Sequence, residues 1–364
     1  MSVHEAQSDN PPALADVFSR ALRASFGSSA TLAEVRPLAG DASSRRYFRL
    51  AVQAGGGAPP SAIAMVLGPE RLPLSSAELT VFATPPTELP FINVGRFLSR
   101  IGIRIPKLFH HDPAAGVLLL EDVGDTTLRA ATTGVRDADV LGFYRLAIDQ
   151  LVRLQVAGTR AADPACVAFQ QRFDRRLFAW EFDHFLEYGI LNAPTSTHAP
   201  LRAAFAPIAE RLGNAPAVLA HRDYHAWNLH VHAGEICVLD FQDALLAPGT
   251  YDVASLLTDR DTATVISPAL EAALLDYYVE ALRRAGSAPE DPRAVRDQYF
   301  LCVLQRALKV VGRFHYLAEV KGKRGYLAFL PHVAGQARRA LEALPADFEA
   351  LRGVLAPHLP PCEQ

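Results

Sequence analysis

Lysine and cysteine are both scarce in this chain of 364 residues. All but four of the 36 basic residues are arginine, and together they nearly balance 39 acidic residues, which leaves a net charge of −3. Because binding to nucleic acid or to an anionic membrane usually needs a basic excess, we expect neither partner. The four cysteines are widely spaced and include no Cys-x-x-Cys pair, which argues against a structural zinc site or a disulfide framework.

Long apolar runs and several common motifs are also missing. No segment approaches the roughly 18–20 apolar residues of a membrane span, and the first residues lack the basic-then-apolar pattern of a signal peptide. We therefore expect a cytoplasmic protein. A monomer is a separate expectation, which the sequence does not test. The chain contains no G-x-x-x-x-G-K-[ST], G-x-S-x-G, H-E-x-x-H or G-x-G-x-x-G, which excludes P-loop chemistry and leaves serine hydrolases, zincins and dinucleotide-binding folds without support.

Hydrophobic residues make up half of the chain, enough for a full core, and their spacing divides it into two parts. We predict an α+β protein with a small β-rich domain (1–124, with a hinge at 121–124) and a larger, mostly helical domain (125–364). In the first part, helical spacing covers 13–26 and 89–103, and strand-like segments cover 35–67, 107–110 and 116–120. In the second, a β-rich island over 217–240 interrupts amphipathic stretches at 136–157, 167–190, 200–213, 250–259, 266–286, 292–318 and 333–343.

The island contains the residues that point to chemistry. Residues 221–243 read HRDYHAWNLHVHAGEICVLDFQD. His221-Arg222-Asp223, followed after four residues by Asn228, has the spacing of a kinase catalytic loop. Asp240-Phe241-Gln242 comes twelve residues after Asn228, where kinases place a metal-binding Asp-Phe-Gly.

Local geometry supports this interpretation. A hairpin with its turn at Ala233-Gly234 brings Asn228 opposite Leu239 and therefore beside Asp240. An amide oxygen and a carboxylate suit Mg²⁺, while Asp223 remains to orient and deprotonate an attacking hydroxyl. In the alternative, Asp223 caps a turn and Asp240 ends a strand, which leaves costly polar groups beside apolar strands without a reason.

These residues resemble the aminoglycoside phosphotransferase family, kinases of small molecules with a bilobal, protein-kinase-like fold. The family's loop is usually His-Gly-Asp, and here Arg222 takes the place of glycine. The resemblance implies that His221 and Asp252, in a segment similar to the family's Tyr-Asp-Leu-Ala, brace the loop. Within the family the chain is most similar to the anomeric kinases of N-acetylmuramate and N-acetylglucosamine used in cell-wall recycling. The segments 40–49, 240–244 and 304–312, the last together with 322–323 and 326–327, carry that likeness.

The resemblance implies ATP and Mg²⁺ as cofactors, and the nucleotide site departs from the common pattern. The strand 61–67 has no lysine to hold the phosphates, so arginine is the expected substitute. We predict phosphate contacts from the turn that ends in Ser43 and Ser44 and from Arg45 and Arg46. In the alternative, Arg45, Arg46 and Arg49 form the solvated face of a strand. Adenine is expected at the main chain of Glu121 and Val123.

The predicted acceptor residues are His225, Gln242, Asp243 and Lys309. Their mixed charge suits a neutral or anionic amino sugar, phosphorylated at its anomeric hydroxyl, better than a polycationic aminoglycoside. If the substrate is N-acetylmuramate, we expect Lys309 to bind its lactyl carboxylate. Phosphotransfer to an aminoglycoside or to another small alcohol remains the alternative, and the missing lysine also allows a non-catalytic nucleotide-binding module. For Trp227 a place in the core is favoured over stacking on a sugar, and for Glu181 and His184 a structural place on their helix is favoured.

Overall fold

The computed structural model describes residues 11–38, 45–53, 57–68, 86–190, 194–287 and 291–359, and these belong to two compact units. The first unit is drawn from residues 1–77 and 105–124, and the second from 78–104 and 125–364. The grouping differs from the predicted domain division only in the segment 78–104, whose helix packs with the helical unit. Within the described ranges, no helix is both long and apolar enough to cross a membrane.

The first unit is an antiparallel sheet backed by one helix. Helix α1 spans Pro11–Phe26. Phe48 and Leu50 alternate with polar positions along the second strand, and both are buried with Phe18 and Leu22 of α1. The strand-like segments of the sequence are thereby confirmed. The strands are β1 (Thr31–Leu38), β2 (Arg46–Gln53), β3 (Ser61–Val66), β4 (Leu108–Asp112) and β5 (Val117–Glu121). Their order across the sheet is β1-β2-β3-β5-β4.

The second unit is mostly helical and encloses two short β-ladders. Its helices are α2 (Pro90–Arg100), α3 (Leu128–Ala131), α4 (Asp137–Arg160), α5 (Arg175–Tyr188), α6 (His198–Gly213), α7 (Thr250–Leu257), α8 (Pro268–Arg284), α9 (Pro292–Glu319), α10 (Leu330–Ala343) and α11 (Glu349–Leu355). Its strands are β6 (Ala217–Ala220), β7 (Leu229–His232), β8 (Glu235–Val238) and β9 (Leu245–Pro248), paired as β6 with β9 and β7 with β8.

The prediction of one helix over 167–190 is wrong. A short 3₁₀ turn ends at Gln170, and α5 begins only at Arg175. Between them, the main-chain N–H of Phe173 donates to the carbonyl of Leu246 at 2.8 Å, which ties this segment to β9. Asp174 then caps α5 by accepting the N–H of Leu177 at 2.9 Å. The interruption follows from a long-range contact that helical periodicity does not register.

Helices α5 and α9 approach each other closely at Gly312. A Cβ atom added there would lie 2.9 Å from the Cα of Phe185 and 3.0 Å from the carbonyl oxygen of His184. Both obstructing atoms are backbone, so α5 cannot yield by turning a side chain. Glycine thus permits the close packing that sets the two helices beside the loop 221–228.

Candidate active site

The motif residues lie on a β-hairpin and the loop that precedes it. Strands β7 and β8 pair with Leu229 opposite Val238, and the turn uses Ala233 and Gly234, both with positive φ (51° and 81°). The N–H of Leu239 donates to the carbonyl of Asn228 at 2.9 Å. The predicted hairpin and its register are therefore confirmed, and Asp240 follows directly at its open end.

The candidate catalytic loop, residues 221–228, is braced by Asp252. Its fully buried carboxylate accepts the main-chain N–H of His221 at 2.6 Å and that of Arg222 at 2.9 Å. Burial raises the pKa of Asp252, against the opposing effect of His221 and of these two hydrogen bonds. The His221 ring adds a second tie, since its Nε2 lies 2.8 Å from the carbonyl of Leu239. The loop is thus held to both α7 and the end of the hairpin.

Arg222 occupies a backbone conformation that favours glycine. Its φ is 79°, in the left-handed region. The side chain is buried, and its guanidinium lies 5.8 Å from the ring centroid of Phe173 and 3.8 Å from Glu181. The carbonyl of Arg222 accepts a hydrogen bond from Arg306 at 2.9 Å. These contacts hold an arginine where the family pattern usually has glycine.

Asp223 is surrounded by positive charge. Burial by itself raises the pKa of its carboxyl, but Lys309, Arg306 and Arg222 outweigh that effect and hold the pKa well below the usual range. The side chain is therefore ionised at neutral pH. The carbonyl of Asp223 accepts the N–H of His225 at 3.0 Å and the side-chain amide of Asn228, also at 3.0 Å. The loop is folded tightly around the candidate base.

Asn228 and Asp240 present the oxygen donors that Mg²⁺ prefers. Because the Asn228 Nδ2 donates to the carbonyl of Asp223, its Oδ1 is the amide atom that faces away from that bond. Asp240 is exposed in a left-handed conformation (φ 59°) at the end of the hairpin. Among the described residues, no three His, Cys, Asp or Glu side chains cluster as a metal site. Two protein oxygens still fit this ion, which keeps several water and phosphate ligands.

Two of the predicted acceptor residues, Gln242 and Lys309, contact neighbouring acidic side chains. The buried Gln242 donates to both carboxylates beside it, Asp240 at 2.9 Å and Asp243 at 3.0 Å. Burial raises the pKa of Asp243, and nearby Asp240 adds to the effect while Arg222 opposes it. Lys309 forms an ion pair with Glu181 at 2.9 Å, and burial lowers the pKa of its ammonium against the effect of that acid.

The predicted nucleotide residues belong to the first unit. Arg45 is buried and Arg49 pairs with Asp122 at 2.7 Å, so the alternative of a solvated arginine face is wrong for these two. The Arg46 guanidinium lies 6.0 Å from the ring centroid of Phe48. The predictions for Ser43 and Ser44 lie outside the described residues.

The predicted adenine contacts fall at the end of β5 and just beyond it. The main-chain N–H of Glu121 donates to the carbonyl of Lys107 at 2.9 Å, so that donor is engaged within the sheet. The Glu121 carboxylate accepts the N–H of Lys107 at 3.1 Å. Val123 is buried, two residues further on.

Sequence reasoning undervalued three residues near the loop. The sequence assigns Arg306 no specific role, yet it is buried and donates a hydrogen bond to the loop backbone. Glu181 is indeed a buried helix residue, but its partners Lys309 and Arg222 connect it to Asp223. The expectation that Trp227 lies in the core is wrong, because its side chain is 40% exposed.

A loop with the spacing of a kinase catalytic loop on an α+β fold is typical of phosphotransferases, and the protein-kinase-like fold agrees with solved structures. The amicoumacin kinase hAmiN, solved with AMP-PNP, Ca²⁺ and Ami, shares 17% identity at a TM-score of 0.57, covering 94% of this chain and 97% of that one.

The chain belongs to the phosphotransferase enzyme family (APH), which it matches over residues 34–297. It is 31% identical over 343 residues to an N-acetylmuramate/N-acetylglucosamine kinase of Caulobacter vibrioides, covering 86% of this chain and 90% of that protein. A kinase of the same name from Pseudomonas aeruginosa is 31% identical over 304 residues, covering 82% of this chain and 81% of that protein. The protein is thus a phosphotransferase enzyme.

Proposed function

We propose that the protein transfers the γ-phosphate of ATP to the anomeric hydroxyl of an amino sugar, N-acetylmuramate or N-acetylglucosamine, for peptidoglycan recycling. The observation that carries the proposal is the proximity of Asp223, Asn228 and Asp240. The Asn228 side chain donates to the carbonyl of Asp223, and the Asn228 carbonyl accepts the N–H of Leu239, the residue before Asp240. The names of the two curated relatives, which cover more than four fifths of the chain, support the sugar. The AMP-PNP complex of the structural neighbour supports a nucleoside triphosphate as donor.

Asp223 is the proposed base. Its carboxylate, ionised because three cations lower the pKa, hydrogen-bonds the acceptor hydroxyl and accepts its proton as the oxygen attacks the γ-phosphorus. The new bond joins the sugar oxygen to phosphorus, and ADP leaves with the electrons of the broken bond. A carboxylate with a lowered pKa is a weak base, so orientation of the hydroxyl contributes more than early proton removal.

Asn228 Oδ1 and the Asp240 carboxylate are the proposed magnesium ligands. When bound, Mg²⁺ supplies charge neutralisation for the phosphate oxygens. Gln242 orients Asp240 by donating to its Oδ1 at 2.9 Å. Asn228 is oriented by its own hydrogen bond to the Asp223 carbonyl. For the nucleotide, Arg45 and Arg46 remain the proposed phosphate contacts, with Ser43, Ser44 and the main chain of Glu121 and Val123.

The acceptor side combines charges of both signs. His225 and Asp243 remain proposed contacts for sugar hydroxyls. Lys309 remains a proposed contact for a carboxylate substituent, although its ion pair with Glu181 already balances part of its charge. A site with such balanced charge does not favour a polycationic acceptor, which normally requires a carboxylate-lined pocket.

The test is ADP release in a coupled assay with ATP, Mg²⁺ and a panel of acceptors. The panel contains N-acetylmuramate, N-acetylglucosamine, kanamycin and choline. We expect turnover with one or both amino sugars, and ³¹P NMR of the product should show coupling of phosphorus to the anomeric proton. Turnover with kanamycin alone would assign antibiotic phosphorylation instead. Nucleotide binding without transfer to any acceptor would contradict the proposal.

A further inference from the structure

Trp227 is an exposed aromatic side chain on the catalytic loop, directly before Asn228. Its ring is 40% exposed, and it is the one aromatic residue among the large exposed hydrophobics of the described chain. Exposing an indole costs free energy that burial would recover. Its neighbours in sequence are held tightly, since Ala226 accepts the N–H of Arg129 at 3.1 Å and the N–H of Asn228 donates to His225 at 2.9 Å.

The orientation of the Trp227 ring is fixed on two sides. The indole N–H donates to Oδ1 of Asp261 at 3.2 Å, and the other oxygen of that carboxylate pairs with Arg129 at 2.8 Å. The guanidinium of Arg260 lies 5.2 Å from the ring centroid. An aromatic surface that is exposed yet held by a hydrogen bond and a cation–π contact is pre-organised for a ligand.

The residues that hold the ring are themselves anchored. Arg260 also contacts the ring of Phe329 at 6.0 Å and lies 3.4 Å from the carboxylate of Asp259. Burial raises the pKa of Asp259, but His225 and Arg260 outweigh it and hold the pKa below the usual range. Asp261 and Arg260 contact the indole, and each is paired with a residue of opposite charge, Arg129 and Asp259 respectively, so the charges beside the ring balance. A neutral aromatic surface with polar groups at its rim fits a sugar ring better than a phosphate or a polycation.

We propose that Trp227 is the platform on which one face of the acceptor sugar stacks. The platform consists of the Trp227 ring, held by Arg260 and Asp261. Trp227 follows Asp223 by four residues on the same loop, so stacking on the ring would orient the reacting hydroxyl toward the proposed base. This inference rests on the proposed function, because it requires a sugar as the acceptor.

Steady-state kinetics with the Trp227→Ala and Trp227→Phe variants provide the first test. Loss of stacking in the alanine variant should raise the KM for the sugar about tenfold while the KM for ATP stays within about twofold. Phenylalanine keeps a ring and should restore the sugar KM to within about threefold of the unsubstituted enzyme. The matched control is Trp180→Phe, which changes the other tryptophan of the chain and should leave both constants unchanged.

Intrinsic fluorescence of the Trp180→Phe enzyme provides the second test and needs no change at the platform. Trp227 is then the only tryptophan, since the chain has two. Titration with the amino sugar alone should change the emission with saturation near the sugar KM, and titration with ATP alone should not. A response to ATP only, or an unchanged sugar KM in a folded Trp227→Ala enzyme that still turns over, would overturn the platform and leave the kinase function intact. Absence of sugar phosphorylation by the unsubstituted enzyme would overturn both.

Discussion

The ammonium of Lys309 lies 2.9 Å from Oε1 of Glu181, whose side chain is 1% exposed. The other oxygen of this carboxylate accepts a hydrogen bond from Gln305 at 2.7 Å. Glu181 thus connects α5 to α9 at the level of the catalytic loop. Because Lys309 also lowers the pKa of Asp223, Glu181 holds in place one of the cations around the proposed base.

Neutralising Glu181 should destabilise the protein. In Glu181→Gln the half-buried Lys309 and the buried Arg222 lose their acidic partner, and we expect the free energy of unfolding to fall by about 3 kcal/mol in urea titrations. The double variant Glu181→Gln/Lys309→Met removes the orphaned ammonium as well. It should be less destabilised than the sum of the two single variants, by about 1–2 kcal/mol. Strict additivity would show that the two side chains do not interact.

Removing the carboxylate of Asp223 should abolish transfer and leave nucleotide binding intact. We expect Asp223→Asn to lower kcat at least ~10³-fold, because the acceptor hydroxyl loses both its orienting partner and its proton acceptor. ADP release measures the rate, and the shift of Tm with added ATP and Mg²⁺ measures binding. An Asp223→Asn enzyme of ordinary activity would refute the assignment of the base.

The positive φ of Arg222 predicts a difference between two small substitutions. Arg222→Gly and Arg222→Ala both remove the guanidinium from Glu181, so they lose the same ion pair. Only alanine must hold its Cβ at a φ of 79°. The glycine variant should therefore be more stable by about 1–2 kcal/mol in chemical denaturation. Equal stabilities would mean that the loop relaxes out of the left-handed conformation.

Asp252 should matter for both stability and rate. Asparagine at this position removes the charge and can no longer accept both main-chain N–H groups of His221 and Arg222. We expect Asp252→Asn to lose about 2 kcal/mol of unfolding free energy, together with a lower kcat. The control is Asp276→Asn, which breaks the exposed pair with Arg296 and should cost less than about 1 kcal/mol. The prediction fails if the two variants are equally stable.

The first unit offers a pH-dependent test at Asp122. Burial raises the pKa of this carboxyl, but hydrogen bonds from Arg49, Ser61 and the N–H of Gly124 outweigh it and lower the pKa. Such an acid stabilises the fold above its unfolded pKa of about 3.9, and the contribution is lost as the pH falls below that value toward the folded pKa.

Unfolding free energies of the unsubstituted chain and of Asp122→Asn should therefore differ fully at pH 7 and converge below about pH 4. In an Arg49→Met background the partner is absent, and the same comparison should show a smaller difference at neutral pH. A difference that stays constant from pH 7 to pH 3 would contradict the lowered pKa.

Sequence reasoning succeeded where the determinants were local. The hairpin of β7 and β8 was predictable because its turn and alternating strands lie within twelve residues. The break before α5 was not, since it depends on a hydrogen bond from Phe173 to β9, more than seventy residues away. Periodicity also gave no sign that β9 pairs with β6.

The residues around Asp223 are also distant from it in sequence. Arg306 donates to the carbonyl of Arg222, 84 residues earlier in the chain, and no local pattern shows that this residue of α9 reaches the loop. Trp227 was misplaced in the core for the same reason, since its partners Arg260 and Asp261 come more than thirty residues later. Composition favours burial of an aromatic residue, and only the fold shows why this one is exposed.

The absent side chain at Gly312 has an effect beyond packing. Backbone atoms of α5 lie 2.9–3.2 Å from where a methyl group would stand, so any larger residue at this position would force the two helices apart. Glycine therefore permits the spacing at which Glu181 of α5 reaches Lys309 and Gln305 of α9. The charges around Asp223 thus depend on an uncharged residue, Gly312, which lies three positions along the chain from Lys309.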